Sequence, residues 1–202
     1  AALAPALAPL LELITTLTRQ ITAFDRQLAQ LAATRYPVVA RLQAPHGVGP
    51  LTALAFVLVL EDPQRFRRAR DVGAYVGLAP RLDESSTARP QLGITTAGDP
   101  LVRRLLVSAA QYILGPFGPP CDLQRYGTAL AARGGANARK RAVVAVARKL
   151  AVLLYRLWVS DVAYDPDYQQ SRAPQPATCR PAPQLALVCL LRLPAPSACS
   201  CS

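Results

Sequence analysis

The chain has 202 residues, no methionine and a single histidine, His46. A natural reading frame of this size normally holds a methionine, so its absence predicts a piece of a longer protein. One imidazole, with no Cys-x-x-Cys pair anywhere, argues against a zinc site, and no metal ligands are assigned. Four of the five cysteines (Cys179, Cys189, Cys199, Cys201) crowd the C-terminal end and Cys121 stands alone, as in a cytosolic chain of reduced, unpaired thiols. No apolar run reaches the roughly 18–20 residues of a membrane-spanning helix, because Arg, Asp or Pro interrupts each one. Ala1–Leu11 lacks the basic flank of a signal peptide. Acids are scarce as well: 12 Asp and Glu face 23 Lys and Arg, giving a net charge of +11. That excess, mostly arginine, points to a polyanionic partner, nucleic acid before an acidic membrane surface.

What is present reads as helix. Leu10, Ile14, Leu17, Ile21, Phe24, Leu28 and Leu31 alternate steps of four and three, the spacing of a heptad seam. Residues 1–36 are therefore expected to form one helix, lying on its own domain or pairing with another copy as a coiled coil. Pro37 stops it. Residues 38–60 read as a short apolar helix, a Gly47-Val48-Gly49 turn and a longer apolar helix begun by Pro50. This resembles a helix-hairpin-helix, whose two glycines let backbone N–H groups approach a DNA phosphate. An ordinary corner between two helices would use the same glycines. His46 reads as a solvated turn residue.

Asp62-Pro63 predicts another helix start, followed by Arg65, Arg67, Arg68 and Arg70 with Phe66 turned inward. A short helix over 71–76 ends at Gly77 in the left-handed conformation. Residues 91–95 suit one side of a small β-hairpin. Asp99-Pro100 opens a helix to Leu114, expected to bury Leu101, Leu105, Val107 or Ser108, and Tyr112. A further helix over 121–133 ends at Gly134-Gly135. Asn137 then caps the longest helix, roughly 138–160. Arg139, Lys140 and Arg141 crowd its N-terminus against the helix dipole, which favours an anion there. Residues 169–202 have no acid, many prolines and no usable period, and read as a disordered tail.

Between the 71–76 and 100–114 helices lies a Ser85-Ser86-Thr87 cluster flanked by Arg81 and Arg89, with Arg103 and Arg104 beyond it. A hydroxyl nucleophile among guanidinium groups suits phosphodiester chemistry, since Arg holds phosphate bidentately and stabilises its developing charge. Ser-, Thr- and Pro-rich stretches are also common as plain surface loops.

Several segments together resemble the C-terminal half of insertion-sequence-110 transposases. They are Gly47–Ala55, Glu61-Asp62-Pro63 with Arg65-Phe66, Ala74–Pro80, Gln91–Thr95 with Ala97-Gly98-Asp99, Leu101 with Arg103–Leu106, Tyr112–Gly118 and Arg141–Leu150. The resemblance covers about residues 10–168. It implies a mainly α fold: a coiled-coil helix over 1–36, then a helix-hairpin-helix-like transposase domain with a small β-hairpin over 37–168. It implies DNA strand cleavage and exchange through a phosphoserine, with Ser85 as nucleophile. Arg81, Arg89, Arg103 and Arg104 would then position the phosphate, and Gly47, Gly49, Arg139, Lys140 and Arg141 would contact the DNA backbone. Mg²⁺ belongs, in such proteins, to a separate RuvC-like domain; no such carboxylate set occurs here, and Asp83 and Glu84 are adjacent. Ser86 stands where Gly is usual and Thr96 where Lys is usual. The implied partners are DNA, in some members a guide RNA, and a second copy through the coiled coil. The implied location is the bacterial cytoplasm at the nucleoid. By itself this chain is expected to bind DNA without cleaving it. The alternative is a non-enzymatic DNA-binding fragment or the remnant of a decayed element.

Overall fold

The structure is a computed structural model that describes residues 4–81, 93–116, 118–160 and 162–168. The expected tail over 169–202 and the Ser85 segment lie outside the described residues. Among the described residues the fold is helical: α1 (Ala4–Arg35), α2 (Val38–Leu42), α3 (Pro50–Leu60), a 3₁₀ turn (Pro63–Arg65), α4 (Asp71–Tyr75), α5 (Pro100–Leu114), α6 (Asp122–Ala132) and α7 (Ala138–Val159).

The core forms where apolar periodicity is densest. α3 is apolar on nearly every side and is buried from Thr52 to Val57 and at Leu60, as an all-round hydrophobic helix must be. α7 packs against α4, α5 and α6 and buries Val146, Leu150 and Leu154 completely. Phe56, Leu42, Leu60 and Leu106 close the same core. Gly127 lets α6 approach α7: a Cβ there would lie 2.4 Å from Leu114 Cδ2 and 2.7 Å from Val146 Cγ2. Phe66 turns inward as expected, edge-on to Tyr75 and Tyr155 at centroid distances of 5.2 and 5.8 Å. The Tyr155 hydroxyl is within hydrogen-bond distance of the Pro63 and Phe66 carbonyls, at 2.8 and 3.2 Å, and pins the 3₁₀ turn to α7.

Local chemistry places the helix starts. Asp62 Oδ1 accepts from Gln64 N at 2.8 Å, and Asp99 Oδ1 accepts from Val102 N at 2.9 Å. After Asp62, however, the chain makes only a single 3₁₀ turn before extending at Phe66. Asn137 sits at the start of α7, but its side chain makes no capping bond. The expected hairpin reduces, among the described residues, to one antiparallel bridge between Pro80 and Ile94.

One expectation about helix faces is overturned and one alternative is narrowed. α1 meets α2 and α3, but most of its length does not lie on its own domain. Its seam is open, with Ile14, Ile21 and Phe24 59–63 % exposed, and burial is reached only at Ala32 near its end. α5 turns a different face inward than expected. It buries Val102, Leu106, Ala109, Ala110 and Ile113, leaving Leu101 and Tyr112 exposed and Leu105 half-buried. The two stripes differ by one residue in register, and the buried one, which includes Ala109 and Ala110, belongs to a helix that packs against α7.

After α7 the chain folds back on α6. Pro166 O accepts from Asp122 N at 2.9 Å, and Arg125 bridges Asp122 and Asp167. Half-burial pushes the Tyr164 phenol up to about 12, with Cys121 and nearby carboxylates adding to the shift.

Candidate nucleic-acid interface

The turn between α2 and α3 is closed by Val48 N donating to Pro45 O at 3.2 Å. Gly47 adopts φ +85°, and a Cβ there would meet Ala109 O and Tyr112 Cδ1 at 3.1 Å, so the turn rests directly on α5. Gly49 is different. Its backbone is extended (φ −83°, ψ 171°), which any residue accepts, and a Cβ would meet nothing within 4 Å. Gly49 flanks the start of α3, where Pro50 has no N–H and no side chain caps the helix. The amides of Leu51 and Thr52 are thus left for solvent or an anion. α5 differs in that Asp99 already fills this role.

A second feature lies at the roots of the serine segment. Arg81 N donates to Gly93 O at 2.8 Å, Thr95 N to Ala79 O at 3.0 Å and Thr96 N to Gly77 O at 3.3 Å. These bonds draw residues 77–81 and 93–96 into a collar. Gly77 and Gly98 interlock beneath it, both at φ +77°. A Cβ on Gly77 would lie 2.0 Å from Ala97 O, and one on Gly98 2.1 Å from Tyr75 O. Arg103 Nη1 ties the limbs together, donating to Val76 O at 3.0 Å and to Ala97 O at 2.7 Å. Thr96, β-branched, sits at φ +54°, a strained conformation for such a residue. Ser85, Ser86 and Arg89 fall on residues 82–92, outside the described residues.

The expected phosphate ligands therefore separate. Arg81 is exposed at the collar. Arg103 spends one guanidinium nitrogen on two carbonyls, a positioning role that its charge alone does not reveal. Arg104 is exposed, with Nε on Pro100 O at 3.3 Å. Arg139, Lys140 and Arg141 are exposed on the first turns of α7, and Arg141 Nη2 donates to Gly134 O at 3.1 Å. Elsewhere Arg65 pairs with Glu61 at 3.4 Å and lies over the Tyr75 ring. Lys149 is half-buried: its Nζ sits 3.5 Å from the Tyr126 ring centroid, and partial burial lowers its pKa. Among the described residues no three His, Cys, Asp or Glu side chains converge to hold a metal ion. No helix there is long and apolar enough to cross a membrane.

Sequence reasoning missed the wall opposite the turn. Leu105, Ser108 and Tyr112 of α5, with Thr52 of α3 and His46, line an open groove of about 440 Å³ against Gly47 and Gly49. The only signal is the helical spacing of that stripe, and the same spacing suits a buried face.

The described residues thus form a helical fold with an uncapped, glycine-flanked helix start. Residues 39–126 match the profile of the Transposase IS116/IS110/IS902 family, so this part of the chain is similar to that family. It is similar to the transposase for insertion sequence element IS1111A of Coxiella burnetii, 34% identical over 125 residues, 61% of this chain and 34% of that protein. A putative transposase y4pF/y4sB of Sinorhizobium fredii is 34% identical over 149 residues, 72% of this chain and 37% of that protein. A probable family 20 transposase of Pseudomonas aeruginosa is 31% identical over 171 residues, 81% of this chain and 49% of that protein. The chain thus spans between a third and a half of the length of these relatives.

Proposed function

We propose that this chain is the DNA-engaging part of an insertion-sequence transposase, and that Ser85 is the nucleophile of strand cleavage and exchange. The family match over residues 39–126 is the observation that carries the reading. The net charge of +11 and the open amide end of α3 support a polyanionic partner. In the reaction, Ser85 Oγ forms a bond to phosphorus as a P–O bond of the strand breaks. One strand end becomes a phosphoserine ester, and the departing oxygen takes up the proton that the hydroxyl loses. Arg81, Arg89 and Arg104 hold the phosphate oxygens. Arg103 instead keeps the two limbs of the collar together. Mg²⁺ chemistry would belong to a RuvC-like domain of the parent protein. A guide RNA is a further proposed partner of the parent.

The test is duplex binding by this chain across a salt series, read by fluorescence anisotropy. The logarithm of the binding constant is expected to fall linearly with the logarithm of salt, with a slope of about −4 or steeper. Ser85→Ala leaves that line unchanged. Gly49→Ala, whose new methyl meets no protein atom, is expected to keep the melting temperature and weaken binding about tenfold by holding phosphate away from the α3 amides. A flat salt dependence refutes the DNA reading.

A second reading concerns assembly, and the open seam of α1 favours it. Apolar side chains at heptad spacing with no cover among the described residues suit pairing with a second copy. Light scattering is expected to give a mass above the 21.6 kDa of one chain, and Ile21→Glu with Phe24→Glu to return it to that value. A concentration-independent monomer refutes pairing through α1.

A further inference from the structure

We infer that the groove between the Gly47–Gly49 turn and α5 takes an unpaired nucleotide, with its phosphate at the amide end of α3 and its base against the Tyr112 ring. The inference deepens the DNA reading above and rests on it. Four observations converge on the groove. Its volume is about 440 Å³ and no acidic side chain lines it, so an anion enters without repulsion. The start of α3 is uncapped, and Gly49 leaves the approach to it open.

Thr52, one turn into α3, is only 7 % exposed, yet its hydroxyl makes no hydrogen bond among the described residues. No buried side-chain oxygen or nitrogen there is left unsatisfied, so this hydroxyl opens onto the groove it lines. It meets solvent at the floor of the groove, where a bound group can take the place of water. Opposite it, Tyr112 is 46 % exposed, although it continues an apolar stripe through Leu101 and Leu105. An aromatic face beside hydroxyls and an anion-binding helix end is the equipment of a stacking platform. A base paired inside a duplex has no free face to offer such a ring, whereas an unpaired one does.

The experiment measures binding of the 202-residue chain to a blunt DNA duplex and to the same duplex carrying a short single-stranded overhang with one 2-aminopurine. The overhang is expected to bind more tightly and its fluorescence to be quenched by stacking. Tyr112→Ala is expected to abolish the quenching and weaken overhang binding by roughly tenfold or more, while blunt-duplex binding changes less than about twofold. Tyr112→Phe should behave as the unaltered chain, since stacking needs the ring and not the hydroxyl. Because Tyr112 is exposed, the variants are expected to fold, and a melting curve checks this. If Tyr112→Ala weakens both ligands equally, or neither, the groove inference falls while the DNA reading stands. If neither ligand binds with a salt dependence, both fall. A ribonucleotide overhang that binds more tightly than the deoxy form supports the groove and identifies RNA as the source of the nucleotide.

Discussion

Gly77→Ala is expected to lower the unfolding free energy by about 3 kcal/mol or more, read as a lower urea midpoint with an unchanged slope. The left-handed backbone at φ +77° alone disfavours alanine by about 1 kcal/mol. Steric overlap costs more. The new Cβ would lie 2.0 Å from Ala97 O and 2.7 Å from Ala97 N, and neither backbone atom can swing aside as a side-chain tip would. Relief requires the two limbs to part, which breaks the Arg103 bonds to Val76 O and Ala97 O and strains the Thr96-to-Gly77 bond. Gly93→Ala is the control. It lies on the same collar, but a Cβ there meets nothing within 4 Å, and its stability should change by less than about 0.5 kcal/mol. Equal midpoints for the two variants would mean that the limbs are not held as the Gly77–Gly98 interlock requires. The functional consequence is specific as well. Both ends of the segment carrying Ser85 leave from this collar, so parting it is expected to impair strand cleavage by the parent protein more than DNA binding by this chain.

The parts of this arrangement that are legible in the sequence are local. Asp62-Pro63 and Asp99-Pro100 announce the starts of the 3₁₀ turn and of α5 because the capping carboxylates and the capped amides lie within a few residues of each other, and Pro50 marks the uncapped start of α3 by its fixed φ. Gly77 reads as a left-handed turn for the same reason. What stays hidden depends on residues far apart. Arg103 reaches a carbonyl 27 positions away, and nothing in its charge separates that task from binding phosphate. On α5 two apolar stripes one residue out of register are equally good by periodicity, and only the approach of α7 decides that Val102, Leu106 and Ile113 go inside. That choice exposes Tyr112 and creates the groove, so the same ambiguity hides both the buried face and the candidate base platform. The seam of α1 is legible as a seam, but not as one that the described residues leave uncovered.

Replacing Arg139, Lys140 and Arg141 together by glutamine is expected to weaken duplex binding by roughly 100-fold at about 0.1 M salt and to make the salt slope shallower by about two. The helix they occupy is the reason. Three cations at the N-terminus of α7 face the positive end of its dipole, with no acid in the first turn and no side-chain cap from Asn137. Such an arrangement is unfavourable in the free chain and becomes favourable once phosphate sits among the side chains. The count is about two rather than three because Arg141 already donates to Gly134 O and so gains less from a phosphate than Arg139 and Lys140. The same substitution relieves repulsion in the free protein, so its melting temperature should hold steady or rise slightly as affinity drops. That opposite movement separates lost phosphate contacts from general damage. A Lys149→Gln variant sharpens the test, because Lys149 stands over the Tyr126 ring. It should change stability and leave the salt slope alone. If the triple variant keeps the original slope, the first turns of α7 do not touch the backbone, and the phosphate contacts must be sought at the exposed arginines around the collar.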